Sequence, residues 1–308
     1  MDNIPTTQRE QSEKLMRRAT YGAVAVASIL IGIKIWAYLA TNSVAILSTL
    51  VDSFLDLGAS VVNLLAVRTA LTPADEEHRF GHGKAEALAG LGQSAFIIGS
   101  AIFLFLQALE KIANPTPIGS SSIGIGVMIA SIVLTLVLVA YQRYVISKTS
   151  SVAISADSLH YMGDLLVNAS VIVAIILAVQ LEWYLADGLF AMGIALYISY
   201  NAYEIVRASF VDLMDEELPD EERDNIKDLV LSEDGVLGLH DLRTRKSGQD
   251  IFIQLHLDLP PDLMLKDAHA ISDRVDEKIT AAYPNAEVII HQDPAPDELL
   301  QAFSEATR

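Results

Sequence analysis

Two pairs of ionisable residues lie inside long apolar stretches of the sequence. Asp52 and Asp56 are four residues apart in the run 47–65, and His160 and Asp164 repeat this spacing in a later apolar run. On a helix, side chains four residues apart lie on one face about one turn apart, so each pair can share a ligand. A charge at mid-bilayer costs at least a few kcal/mol, so intramembrane carboxylates usually mark an ion pathway. We therefore expect these four residues to bind a cation.

The four side chains, three carboxylates and one imidazole, have the composition of a metal site. Such a set can close tetrahedrally around a divalent ion such as zinc, or around similar ions that tolerate oxygen-rich ligation. Two plainer interpretations stay open. The residues could face a wet lumen, or the histidine could only hydrogen-bond an aspartate on the neighbouring helix.

The composition indicates a membrane protein with a water-soluble C-terminal third. Of 308 residues, 52% are hydrophobic, which is too apolar for an ordinary soluble domain. The net charge is −18, and residues 212–308 hold 24 acidic and 9 basic side chains. So acidic a surface disfavours nucleic acid as a partner. The chain has no cysteine, so disulfides and thiolate metal sites are excluded, and a bound metal must use His, Asp, Glu or carbonyl ligands.

Hydropathy predicts six membrane-spanning helices, at 21–40, 44–70, 85–112, 123–144, 152–181 and 184–206. Each is long enough for the roughly 20 residues that cross a bilayer. The polar start of the chain shows no pattern of a signal peptide. Lysine and arginine beside short loops set the orientation. They cluster on one side, at Lys14, Arg17, Arg18, Arg68, Arg79, Lys84, Arg143 and Lys148, whereas the opposite loops carry little beyond Lys111. Both termini are therefore predicted to be cytoplasmic.

This topology places the two pairs at similar depth. The second span runs inward from about Asn42 and the fifth outward from about Ser150, and Asp52 and His160 each lie ten residues beyond these points. Ten residues correspond to roughly 15 Å at 1.5 Å per residue, near the middle of the bilayer. The pairs can therefore meet.

The residues after Arg207 predict a small domain with the order αββαβ. Acidic residues begin a helix near Pro219, strands are expected at 236–245 and 251–259, an amphipathic helix at 265–283 and a last strand at 286–291. This order suits a sheet with helices on one side, of ferredoxin-like or metallochaperone-like type. The predicted divisions are a cytoplasmic segment 1–20, a transmembrane domain 21–208, a cytoplasmic domain 209–296 and an acidic tail 297–308.

Two further groups of residues could bind metal. In the loop 73–84, Asp75, His78 and His82 could close around one ion, with Gly81 and Gly83 permitting the turn, although a solvated charged loop is an equal alternative. In the C-terminal domain the candidates are scattered, and each histidine alone is more often a surface or core residue than a ligand. These candidates are His240, His256, His269, His291, Gln292 and Asp293, which account for all remaining histidines.

Beyond these residues, the sequence resembles a known family over most of its length, from about Arg17 to Pro294. The two pairs on the second and fifth of six spans look like those of the cation diffusion facilitator family. The segments PADEEHRFGHGKAEAL, GLHDLRTR and VIIHQDP closely resemble its bacterial YiiP-type (FieF-type) members. The resemblance implies a homodimeric, proton-coupled exporter of Zn2+ and related cations in the cell inner membrane, a secondary active transporter and not an enzyme.

The resemblance also implies roles for individual residues. Asp52, which replaces the histidine of more zinc-restricted members, implies tolerance of Cd2+ and of Fe2+ or Mn2+. The implied transport site is formed by Asp52, Asp56, His160 and Asp164, and an implied loop site by Asp75, His78 and His82. A two-metal cluster at the dimer interface would be held by His240, His256, His269, His291 and Asp293, with Gln292 assisting. Lys84 would pair with Asp215 across the dimer.

The chemistry of the ligands suggests how transport would be driven. Metal ligands must lose protons to bind, so metal and protons exchange, and His160 is the natural carrier because imidazole titrates near neutrality. A membrane metalloenzyme is the first competing interpretation, but no His-Glu-x-x-His pattern is present and the four proposed ligands leave no open position for water. A passive channel or a metal receptor is the second, and it would show no pH-coupled flux.

Overall fold

The computed structural model describes residues 6–42, 44–114, 122–181, 183 and 185–306. Contacts divide the chain into two compact units. The helical unit comprises Glu10–Phe210, and the C-terminal unit is built mainly from the residues after Phe210.

The helical unit consists of six long helices that are apolar enough to cross a membrane. Many large apolar side chains are exposed on the outer faces of these helices. The helices of a soluble bundle would carry polar residues there, so these surfaces are as expected of helices that face lipid. The helices are α1 (Thr6–Thr41), α2 (Val44–Ala70), α3 (Lys84–Ala113), α4 (Ser122–Thr149), α5 (Val152–Leu181) and α6 (Ala186–Leu213).

Helix α5 occupies the centre of this unit, in contact with α2, α3 and α4. It also approaches α6 closely at Gly163, where an added Cβ would lie 2.8 Å from Ile198 Cδ1. Gly163 directly precedes the candidate ligand Asp164, so α5 and α6 pack closely next to this ligand. The sequence of α5 thus combines small residues for packing with polar ones for chemistry.

The C-terminal unit is a three-stranded sheet with helices on one face. Its order is α7 (Asp220–Leu231), β1 (Gly238–Ser247), β2 (Asp250–Leu259), α8 (Leu265–Ala282), β3 (Ala286–Pro294) and α9 (Asp297–Ala306). Strand β2 lies in the middle, antiparallel to β1 and parallel to β3. The expected fold class, a six-helix membrane bundle followed by an αββαβ domain, is confirmed.

The two faces of the sheet differ in composition. On β2, Ile253, Leu255, Leu257 and Leu259 pack with the apolar side of α8 and form the core. Alternate residues point to opposite faces of a strand, so His256 lies on the face away from α8. The core therefore fixes which polar residues remain available on the open face.

Several element bounds differ from the sequence expectation. Helix α1 begins at Thr6, fifteen residues before the expected span, because residues 6–20 are polar but contain no helix breaker. Strand β1 is shifted two residues towards the C-terminus, and β3 extends to Pro294. Residues 297–306 were expected only as an acidic tail, and they form α9 with two acids in its first turn. The expected start of the sixth span, Tyr184, and the expected outer loops at 115–119 and Glu182 lie outside the described residues.

Candidate metal centres

The first candidate centre joins α2 and α5. His160 Nε2 lies 3.0 Å from Asp56 Oδ1 and 4.0 Å from Asp164 Oδ2. One donor atom from each of the three residues lies within 4.8 Å of the others. The side chains of His160 and Asp56 are only 10% and 18% exposed, whereas that of Asp164 is 42% exposed, so the group is buried on one side and accessible at Asp164. The two antiparallel helices therefore bring together three of the four residues expected at this site.

Asp52, the fourth expected residue, lies outside this compact group. It lines the same cavity of about 670 Å³ as Asp56, His160 and Asp164. Asp52 precedes Asp56 by one helical turn, so its carboxylate is one turn away along α2. The cavity thus holds all four side chains, and three of them are already within the reach of a common ion.

Lys34 on α1 also belongs to this region, and its role was not predicted from the sequence. Its ammonium donates to Thr49 O at 2.9 Å and to Ser53 Oγ at 2.6 Å, both on α2. A solitary lysine in an apolar span forms no i,i+4 pair that would draw attention to it. The free-energy cost of a charged side chain in the bilayer could still have indicated that it has a function.

Asp157 is a second polar residue of α5 that was not predicted. It is completely buried and accepts hydrogen bonds from Gln142 Nε2 at 2.6 Å, Gln93 Nε2 at 3.3 Å and Ser60 Oγ at 3.4 Å. These donors come from α4, α3 and α2. Asp157 lies about one turn before His160, so it fixes the segment of α5 that carries the candidate ligands.

The second candidate centre is the loop between α2 and α3. Asp75 Oδ1 lies 3.2 Å from His78 Nδ1, and Asp75 Oδ2 lies 3.4 Å from His82 Nε2. The backbone N–H of His78 donates to Asp75 at 2.6 Å, and this bond lowers the pKa of the Asp75 carboxyl. Gly81 has a φ of +75°, which permits the turn, whereas Gly83 is helical. The loop therefore gathers all three expected residues.

The third candidate centre is a row of imidazoles on the open face of the sheet. His240, His256 and His291 occupy paired positions on β1, β2 and β3. Ring centroids are 4.9 Å apart for the first pair and 4.6 Å for the second. Asp293 joins them, since its Oδ2 lies 2.7 Å from His256 Nδ1 and its Oδ1 lies 3.3 Å from His291 Nε2. The hydrogen bond from His256 and the neighbouring imidazoles lower the pKa of Asp293.

Three other residues of the C-terminal unit differ from the sequence prediction for this centre. Asp258, which was not predicted as a site residue, is 6% exposed and lies 3.2 Å from His240 Nδ1. Gln292 points the other way, because its amide donates to Ser272 Oγ on α8 at 2.8 Å. His269 is exposed on α8, 3.7 Å from Asp273, and is not part of the row.

Lys84 and Asp215 belong to different units. Lys84 is the first residue of α3, and Asp215 follows α6 with a φ of +54°. Asp215 Oδ1 lies 3.2 Å from Arg245 Nη1 within the C-terminal unit. The expected pairing of Lys84 with Asp215 across a dimer stays a prediction.

All three centres offer imidazole nitrogen and carboxylate oxygen. These donors suit divalent ions of hard or borderline character, including zinc, and the groups of two imidazoles with one carboxylate match common zinc ligand sets. The donor chemistry therefore fits metal ions at each centre.

Comparison with known proteins decides the family. The model "Cation efflux transmembrane domain" matches residues 21–214, and the model "Cation efflux protein, cytoplasmic domain" matches residues 218–295. The chain belongs to the cation diffusion facilitator family. This result confirms the resemblance drawn from the motifs, and it identifies the protein as a transporter and not an enzyme.

Individual members of the family match nearly the whole chain. Cation-efflux pump FieF of Yersinia pestis (strain Pestoides F) is 50% identical over 287 residues, covering 92% of this chain and 94% of the relative. Cation-efflux pump FieF of Salmonella typhimurium (strain LT2) is 48% identical over 281 residues, covering 91% and 93%. A solved structure of CzrB in its zinc form is 32% identical and covers 26% of this chain and 92% of its own, with a TM-score of 0.25 that establishes no common fold.

Proposed function

We propose that this cation diffusion facilitator exports Zn2+ and related divalent cations from the cytoplasm in exchange for protons. The observation that carries the proposal is the cluster of Asp56, His160 and Asp164 between two antiparallel helices, with Asp52 in the same cavity. Cation efflux by the FieF relatives supports the direction of transport.

Metal binding would draw the four side chains together. Zinc bonds to carboxylate oxygen and imidazole nitrogen at about 2.0–2.2 Å, so donors within 4.8 Å of one another need only small side-chain rotations. Asp52 would rotate towards Asp56 and complete a tetrahedron. The tolerance of such an oxygen-rich set extends to Cd2+, Fe2+ and Mn2+.

Proton exchange follows from the ligand chemistry. A ligand must be deprotonated to hold metal, so arrival of a proton at the site releases the ion. His160 hydrogen-bonds Asp56 and adjoins Asp164, so its imidazole can carry the incoming proton where the metal was held. Rocking of the helices would open the cavity first to the cytoplasm and then to the opposite side.

The other two centres would hold resident metal. In the loop that joins α2 and α3, Asp75, His78 and His82 would bind one ion. In the C-terminal unit, the histidine row with Asp293 would bind ions at a homodimer interface, where metal shared between subunits stabilises the docked state by mass action. His269 would be contributed by the second subunit, and Lys84 and Asp215 would pair across the dimer.

The location follows from the distribution of charge. The protein would span the inner membrane six times, with both termini, the loop centre and the acidic C-terminal unit in the cytoplasm. The division into a segment 1–20, a membrane domain 21–208, a cytoplasmic domain 209–296 and a tail 297–308 is part of this proposal.

Transport by reconstituted vesicles tests the proposal. Zn2+, Cd2+, Fe2+ and Mn2+ are offered in turn to vesicles containing wild type, Asp164→Ala or Asp262→Ala, an exposed carboxylate in no candidate centre. We expect Asp164→Ala to abolish uphill flux, Asp262→Ala to retain it, and wild-type flux to stop when the pH gradient is dissipated. Flux that ignores the pH gradient would indicate a channel, and flux that survives Asp164→Ala would remove the transport site from this cavity.

A further inference from the structure

Lys34 on α1 is held by two hydrogen bonds to α2, the helix that carries Asp52 and Asp56 of the proposed transport site. Its ammonium donates to Thr49 O and to the hydroxyl of Ser53, whose side chain is buried. Thr49, Asp52, Ser53 and Asp56 follow the spacing i, i+3, i+4, i+7, so they share one face of α2. The lysine is therefore tied to the face of the helix that carries the two aspartates.

The hydrogen bonds of Lys34 place its ammonium near the two carboxylates of α2. Its partner Ser53 directly follows Asp52 and lies about one turn before Asp56, so the charge of the ammonium acts on both. A protonated lysine is a donor only and offers no lone pair to a metal. Lys34 therefore repels a divalent cation in the cavity while it attracts the groups that bind that cation.

A balance of formal charge shows what this lysine could contribute. Three ionised carboxylates and one divalent ion leave a single negative charge, which is costly in a site enclosed by hydrocarbon. One ammonium compensates this charge. When the metal departs, the same ammonium still neutralises part of the carboxylate charge, so the empty state becomes less unfavourable.

We propose that Lys34 is a built-in counter-ion of the transport site that weakens its hold on the metal and so permits release. This inference rests on the proposed function, because it assigns Lys34 a part in that same site. A merely structural Lys34 would tie α1 to α2 and leave metal affinity unchanged. The two roles differ in whether charge or hydrogen bonding is needed.

Three substitutions separate the roles. Lys34→Gln keeps a hydrogen-bond donor and removes the charge, Lys34→Met removes both, and Lys34→Arg keeps the charge. Each is made in full-length protein that carries His78→Ala, His82→Ala and His256→Ala, which disrupt the loop and the histidine row. Equilibrium binding of Cd2+ to the detergent-solubilised protein is then measured at one fixed pH.

We expect Lys34→Gln and Lys34→Met to bind Cd2+ at least about tenfold more tightly, because a unit charge on the face of α2 that carries Asp52 and Asp56 acts strongly in a poorly screened site. Lys34→Arg should stay close to wild type, and release of Cd2+ from Lys34→Gln into a chelator should slow in proportion to its affinity. Unchanged or weaker binding by both neutral variants overturns the inference.

Asp164→Ala in the same background identifies the signal from the transport site. Loss of Cd2+ binding in this variant, together with unchanged affinity in the neutral Lys34 variants, contradicts only the role of Lys34. Retention of Cd2+ binding by Asp164→Ala instead contradicts the proposed transport site and, with it, the inference about Lys34. Elution of each variant on size exclusion as wild type confirms that the comparison is made on folded protein.

Discussion

Asp258 has a defined relation to the histidine row. Its carboxylate lies on the Nδ1 side of His240, at 3.2 and 3.3 Å for the two oxygens, while His240 Nε2 lies 3.5 Å from Asp293 Oδ2. A carboxylate on one ring nitrogen fixes the tautomer and leaves the other nitrogen free for metal. Asp258 thus orients a proposed ligand without being one of the compact group.

Replacement of Asp258 should therefore weaken metal binding at the row. We expect Asp258→Asn to lower the Zn2+ affinity of this centre about 10- to 100-fold, the usual cost of losing such a partner. Competition with a chelator, in full-length protein that carries Asp164→Ala, His78→Ala and His82→Ala, measures the affinity. Asp262→Ala is the matched control, and an Asp258→Asn protein that binds as tightly as the control would contradict the role.

Spacing predicts these residue-scale features only where residues come in pairs. The i,i+4 pattern and the equal depth of the two pairs predict that they meet, since both follow from helix geometry, and one donor atom each of Asp56, His160 and Asp164 lies within 4.8 Å of the others. The direction of the Asp52 side chain depends on packing, and residue spacing alone does not predict it. Lys34 and Asp258 were missed because each is a solitary charged residue whose partners lie on other elements.

Packing of α5 against its neighbours depends on one buried carboxylate. Asp157 accepts hydrogen bonds from α2, α3 and α4 at the same level, so it joins four helices next to His160. Removing one member of a buried network leaves the others unsatisfied, at a cost of about 1–3 kcal/mol for each neutral group. The polar network therefore positions the element that carries the candidate ligands.

Two substitutions of Asp157 should differ in effect. Asp157→Ala should destabilise the helical unit by about 2–6 kcal/mol, because it removes the acceptor of the Gln93 and Gln142 amides, whereas the Ser60 hydroxyl keeps Tyr161 as a partner. Asp157→Asn should cost less, since the Oε1 of Gln142, which has no hydrogen-bond partner among the described residues, can accept from the new amide. The temperature at which solubilised full-length protein aggregates measures both. Equal temperatures for the two variants would show that hydrogen bonding at this position does not hold the helices.

Elements proved predictable where a single physical signal dominates. The six apolar runs gave the six helices because a bilayer demands long apolar segments with internal hydrogen bonds. Period-two alternation gave β2, whose buried residues face α8. Helix α9 was missed because its acids suggested only a solvated tail, although Asp297 and Glu298 in the first turn favour a helix.

The two faces of the C-terminal sheet bear on how whole molecules would assemble. Helix α8 covers the face formed by Ile253, Leu255 and Leu257, and the histidine row lies on the opposite face. His269, on α8, is exposed and paired with Asp273, so within one chain it is separated from the row by the sheet. The single cluster implied by the family resemblance therefore requires His269 from a second copy, and a twofold dimer would exchange this residue reciprocally.

Mixed dimers test that exchange. His269→Ala and His256→Ala each spoil both clusters of a twofold homodimer, but in a heterodimer of the two variants the damage falls on one cluster. This follows because the intact row of the His269→Ala subunit receives His269 from its partner. We expect dimers purified through two different tags, in an Asp164→Ala, His78→Ala and His82→Ala background, to hold about half the wild-type Zn2+, whereas both homodimers hold little. If the heterodimer held no more Zn2+ than either homodimer, His269 would not be shared between subunits and its place in the cluster would be lost.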